Sequence, residues 1–107
     1  MLSGVYEYGN EVSTMYAVIR AYNGNFDLAD TLAEHEEEIR QLIGGINGFR
    51  AYYLLKLAEG TSTISVFDDQ EGAEESSRAA AAWLAENLPD LSVAAPYVTA
   101  GEVLVGF

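Results

Sequence analysis

The residues of this chain equipped for chemistry beyond packing are few: one histidine, one tryptophan, two adjacent tyrosines and a scatter of charges. His35 leads them. Counting ~100° per residue from Leu28, its ring falls within the stripe of Leu28, Leu32, Ile39 and Leu42, the side of a helix that would face a sheet. An imidazole held there can give or take a proton near neutral pH, so His35 is the candidate catalytic residue. Glu34, Glu36, Glu37 and Glu38 flank it and would favour its charged form. A half-exposed histidine at the edge of a core would have the same neighbours, and both readings stand.

Tyr53, Trp83 and Arg50 are the candidate ligand-binding residues. Tyr53 shares an alternating face with Ala17, Ala21 and Ala51, expected to lie under helices. A ring opposite small side chains leaves room for a pocket, where its phenol can anchor a ligand hydroxyl. Aromatic packing is the ordinary alternative. Trp83 sits at the edge of a helical apolar stripe, where it walls a cleft or simply packs on the sheet. Arg50 suits an anionic substrate, but its long stem can equally snorkel to a rim and meet an acid. Glu36 stands one turn before Arg40, the spacing of a helix-surface ion pair.

Other chemistries are poorly served. With one histidine and no cysteine, neither a nucleophilic triad nor a metal site can be assembled convincingly, and no metal or cofactor is expected. Gly44-Gly45 ends a helix instead of opening one, the wrong polarity for a phosphate loop. Seventeen acidic against five basic residues give a formal net charge of −12. Such a surface repels nucleic acid and anionic lipid, so neither is an expected partner. No apolar run approaches the roughly 20 residues that span a bilayer. The first residues lack a basic start followed by an apolar stretch, and there is no cysteine to oxidise, so the cytoplasm is the expected address.

These side chains need a frame. One hundred and seven residues, half of them hydrophobic, suit a single packed domain. Residues 1–14 show no period and are expected to form a flexible N-terminal extension. The domain then runs from 15 to 107. Met15 to Tyr22 alternates as a strand, and Asn23-Gly24-Asn25 is turn chemistry. Leu28, Leu32, Ile39 and Ile43 recur at helical spacing until Gly44-Gly45 stops the helix. Phe49 to Leu57 and Thr61 to Phe67 form a hairpin around Ala58-Glu59-Gly60. Asp68, with Glu71 three residues on, resembles a capping box for a second helix carrying Ala73, Ser77, Ala80, Leu84 and Leu88 on one face. A last strand is expected near Val98 to Phe107. The order is βαββαβ, an α+β ferredoxin-like arrangement: a four-stranded antiparallel sheet with both helices on one face.

Alternation divides the strands into two sets. Met15, Ala17, Ile19, Phe49, Ala51, Tyr53, Leu55, Leu57, Val103, Val105 and Phe107 are almost wholly apolar and are expected to lie under the helices. Tyr16, Val18, Tyr22, Tyr52, Leu54 and Leu104, interspersed with Arg20, Arg50 and Lys56, fall on the other side. That face is too greasy to meet water alone, so a second copy of the chain is expected to cover it as a homodimer.

The element order, Gly48-Phe49 entering the second long strand, and the stretch Phe67-Asp68-Asp69…Ala73…Ser76-Ser77…Trp83 resemble the dimeric α+β barrel superfamily, including its antibiotic-biosynthesis monooxygenase-like domains. The resemblance covers Met15 to Phe107. The haem-degrading branch is similar to a pattern of a first-strand Asn, a Trp and a second-helix His; the strand expected over Met15 to Tyr22 has no Asn, and the one histidine falls on the first helix. What the resemblance implies is a small dimeric barrel protein binding an organic molecule in a helix–sheet cleft, without assigned catalysis. The alternative it implies is a cofactor-independent oxygenase acting on a small aromatic or polyketide-type substrate. Whether the chain is an enzyme stays open at this point.

Overall fold

The computed structural model describes residues 15–24 and 27–107. The expected extension over 1–14 lies outside the described residues. In chain order the elements are β1 (Met15–Asn23), α1 (Leu28–Glu34), α2 (Glu36–Gly44), β2 (Phe49–Leu57), β3 (Gly60–Phe67), α3 (Gln70–Asn87), a single 3₁₀ turn (Pro89–Leu91) and β4 (Tyr97–Val103). The sheet order is β2-β3-β1-β4 with every neighbouring pair antiparallel. This is the ferredoxin-like α+β fold.

The first helix is broken where one continuous helix was expected. His35 closes α1 and opens α2 with φ −104° and ψ 28°, its amide donating to the Leu32 carbonyl three residues back. The apolar stripe crosses the break unchanged, with Leu28, Leu32, Ile39 and Ile43 all buried, which is why periodicity does not reveal it. Asp69 caps α3, its carboxylate accepting from the Gly72 amide at 3.0 Å, while Asp68 pairs instead with Arg50.

Two glycines set the approach of α3 to the sheet. Gly48 takes φ +82° and its carbonyl accepts from the Asp68 amide at 2.8 Å, tying the entry of β2 to the exit of β3. A Cβ on Gly72 would stand 2.9 Å from the Phe67 ring, so only glycine lets the helix settle this close.

Along β1, and along β2 from Ala51 on, the two sets of strand residues are the ones expected but the faces are reversed; Phe49 packs on the core as expected, because a register shift between Phe49 and Ala51 separates it from Tyr53 and Leu55. Val18, Arg20 and Tyr22 are buried beneath the helices, with Tyr16, Tyr52 and Leu54 packed against the same core. Ile19, Tyr53, Leu55 and Leu57 look out from the uncovered side. Tyr16, Val18, Tyr52 and Leu54 are therefore not on the open face, and Leu104 lies beyond the end of β4, exposed. The cause is in the partners. Residues on β3 that pair beside Val18 and Arg20 are Ser65 and Thr63, and α3 turns Gly72, Ala73 and Ser76 inward. Small and hydroxylic side chains on both layers leave space and hydrogen bonds for an arginine that composition alone would put outside.

Candidate functional site

Arg20 is the centre of the helix–sheet interface, 2% exposed. Its guanidinium is held by hydroxyls alone: Nε donates to Thr63 Oγ1 at 3.2 Å, Nη1 to Ser76 and Ser77 Oγ at 3.1 and 3.0 Å, and Nη2 to Ser65 Oγ at 2.7 Å. Among the described residues it makes no ion pair, whereas Arg40, Arg50, Lys56 and Arg78 each meet a carboxylate at the surface. The ionisable groups close enough to act on it are the phenols of Tyr22 and Tyr52. Burial pulls the guanidinium below its ordinary value, the phenols acting in the opposite sense. Burial likewise raises Tyr22, and it pushes Tyr52 up to about 12 with Arg20 opposing the rise.

A small cavity touches this arginine and shares walls with a larger one. A groove of about 320 Å³ runs between the first helix pair and β2, walled by Leu32, Ile39, Ile43, Phe49, Tyr52 and Leu54, with the exposed Glu36 and Arg40 at its rim. A pocket of about 30 Å³ lies deeper, against Arg20, Tyr22, Leu42, Thr63, Ala80 and Trp83. Leu32, Ile39, Ile43 and Tyr52 line both. The larger cavity is apolar and suits the body of an apolar molecule, while the smaller one, behind the shared side chains, lies against a fixed positive charge that can orient an acceptor group.

The residues singled out in the sequence are dispersed around this site. Trp83 lines the inner pocket. His35 stands behind it, ring edge to ring face at 5.2 Å, with Nδ1 paired to Glu38; it lines neither cavity. Tyr53 is 58% exposed on the open face, and its neighbour Tyr52 occupies the cleft. Arg50 is exposed and paired with Asp68. Glu36 pairs with Arg40 one turn on. Among the described residues, no group of three histidines or acids is placed to hold a metal. Arg20 itself was the residue missed. Its signal was the alternation of hydroxyls in Thr61-Ser62-Thr63-Ile64-Ser65 together with Ser76-Ser77 on a helix face otherwise built from alanine.

No family model matches the chain, and no curated protein does. Solved structures do. A protein of unknown function from Nitrosomonas europaea superposes with a TM-score of 0.68 at 19% identity, over 90% of this chain and 95% of its own. An antibiotic-biosynthesis-monooxygenase-like protein from Chloroflexus aurantiacus gives 0.62 at 17%, over 87% and 96%. The haem-degrading MhuD of Mycobacterium tuberculosis, solved with two haems in its active site, gives 0.62 at 12%, over 87% and 98%. The chain has their fold. At these identities the likeness extends to the α+β architecture that antibiotic-biosynthesis-monooxygenase-like proteins share, and no further.

Proposed function

We propose that this is a homodimeric binding domain whose helix–sheet groove holds a small, largely apolar organic molecule. The observation that carries it is the 320 Å³ groove with six apolar or aromatic walls, large enough for a ring-sized ligand and open at Glu36 and Arg40. Trp83 and Tyr52 shape its inner end. Binding without turnover is favoured over the oxygenase reading because His35 lines neither cavity, leaving two phenols, the Thr63 hydroxyl and a guanidinium as the polar groups lining the inner pocket.

The partner is a second copy, seated on the open face. Ile19, Tyr53, Leu55, Leu57, Ile64 and Val66 share that face, and none of the strand residues pointing there carries a charge, in a chain with a net charge of −12. Burying each large side chain there is worth roughly 1.5–3 kcal/mol, and a two-fold partner offers the matching surface.

The groove is tested by filling it. Ala33 is exposed on α1 and lines the groove without entering the core. Ala33→Phe should leave thermal unfolding unchanged and abolish the shift that small aromatic compounds induce in the single Trp83 indole N–H resonance. Undiminished binding in that variant would place the ligand elsewhere.

A further inference from the structure

The inner pocket lies against a charge for which the described residues supply no counterion. Seventeen acids are available, yet the one cation buried among the described residues is surrounded by four hydroxyls and two phenols. Hydroxyls satisfy the geometry of N–H donors but cannot neutralise the charge, and an uncompensated buried ion is among the most expensive groups a fold can carry. Hydroxyl oxygens also hold the guanidinium in place without cancelling its attraction for an anion. A carboxylate partner would have cancelled it. The pocket against Arg20 measures about 30 Å³, the share of one water molecule in the liquid, which is room for a single ligand oxygen. Beyond it, the larger groove is apolar.

From these observations we infer that Arg20 recognises the oxyanion of a small aromatic or alicyclic molecule, with the ring lodged in the groove and the charged oxygen in the inner pocket. This rests on the groove being a ligand site and adds the charge of its ligand. A carboxylate and a phenolate or enolate present the same charged oxygen acceptor to the guanidinium, and both fit the site. The surface sharpens the inference. A protein of net charge −12 repels anions in general, so preference for an anion over its neutral isostere must come from a specific buried site.

The test uses two matched pairs of probes, benzoate with benzamide and 4-nitrophenolate with nitrobenzene, at pH 8.5. Binding is followed by NMR at the Arg20 Nε–H and at the indole N–H of Trp83, the single tryptophan, whose one resonance reports the inner pocket. The expected result is at least a roughly tenfold preference for one or both anions over their neutral partners, as a charge-assisted hydrogen bond supplies. The pair showing the preference separates carboxylate from phenolate ligands. In Arg20→Met the preference should vanish, and in Arg20→Lys it should survive in weakened form. Equal binding of charged and neutral probes would overturn the anion assignment and leave the groove as a ligand site. A preference retained in a folded Arg20→Met protein would overturn the role of Arg20. No response from any probe up to roughly 10 mM, the weakest affinity expected for a nine-atom ligand, would overturn the ligand site and the anion assignment together. If Arg20→Met does not fold, the wild-type comparison of isosteres still decides between charge recognition and its absence.

Discussion

The two faces of one sheet invert the usual relation between polarity and burial. The covered face carries Arg20, Thr61, Thr63 and Ser65 beside Val18, Tyr22 and Phe67. The uncovered face carries Ile19, Tyr53, Leu55 and Leu57 and no charge along its strands. A domain that folded only for its own stability would have sorted them the other way. On the function proposed above, the polar side serves a ligand and the apolar side a second protein surface.

The largest effect that could break this contrast comes from mutating the open face. Ile19 sits on a central strand there, and Ile19→Asp would place two like charges across a two-fold interface. The dimer should weaken by more than about 100-fold, on the order of 3 kcal/mol, while the circular dichroism of the protomer is kept. Sedimentation velocity reads the change, and an unaltered monomeric state for both proteins would remove the homodimer.

Mutations on the covered face should separate its apolar from its charged parts. Phe67, fully buried and edge-on to Phe49 at 5.8 Å, anchors the apolar part, and Phe67→Ala should cost about 3–5 kcal/mol in denaturant unfolding. Arg20→Met should cost less, about 1–3 kcal/mol, because removing this charge relieves its desolvation and strands no opposite charge but leaves the buried hydroxyls of Thr63 and Ser65 without their donor. A loss as large as that of Phe67→Ala would mean the guanidinium is a structural keystone.

Tyr52 supplies a pH test of the same face. Its phenol titrates near 10 when unfolded and is pushed up to about 12 by burial when folded. Between those values the unfolded chain has released a proton that the folded chain retains. Stability present below pH 10 should therefore fall as pH rises toward 12, and Tyr52→Phe should flatten that decline in urea titrations. The smallest effect is that of salt. Two protomers of charge −12 repel, so raising ionic strength from about 0.05 to 0.5 M should tighten the dimer by roughly threefold.

Much of the fold was legible in the residues. Period-two alternation marked Met15 to Tyr22 and Phe49 to Leu57, and Gly60 after a short loop marked the hairpin, because strands and turns are specified locally. The division of strand residues into two sets was right except at Phe49, where a register shift before Ala51 changes the face. Which set faced the helices was not legible, because the rule that apolar residues go inside is silent when both sets are largely apolar. The deciding contacts join Arg20 to residues 43 to 57 positions away, and no local pattern reports that match. The same limit explains Tyr53, displaced by its neighbour through a one-residue question of face. It also explains His35, whose helix breaks beneath an uninterrupted apolar stripe.

The missing side chain at residue 72 acts as a gauge. Phe67 rests where a methyl group would be, and Ser76 lies one helical turn beyond on the same face, touching the guanidinium. Lifting α3 by the width of that methyl would draw the Ser76 and Ser77 hydroxyls away from Arg20, so the side chain at 72 sets how firmly the guanidinium is held.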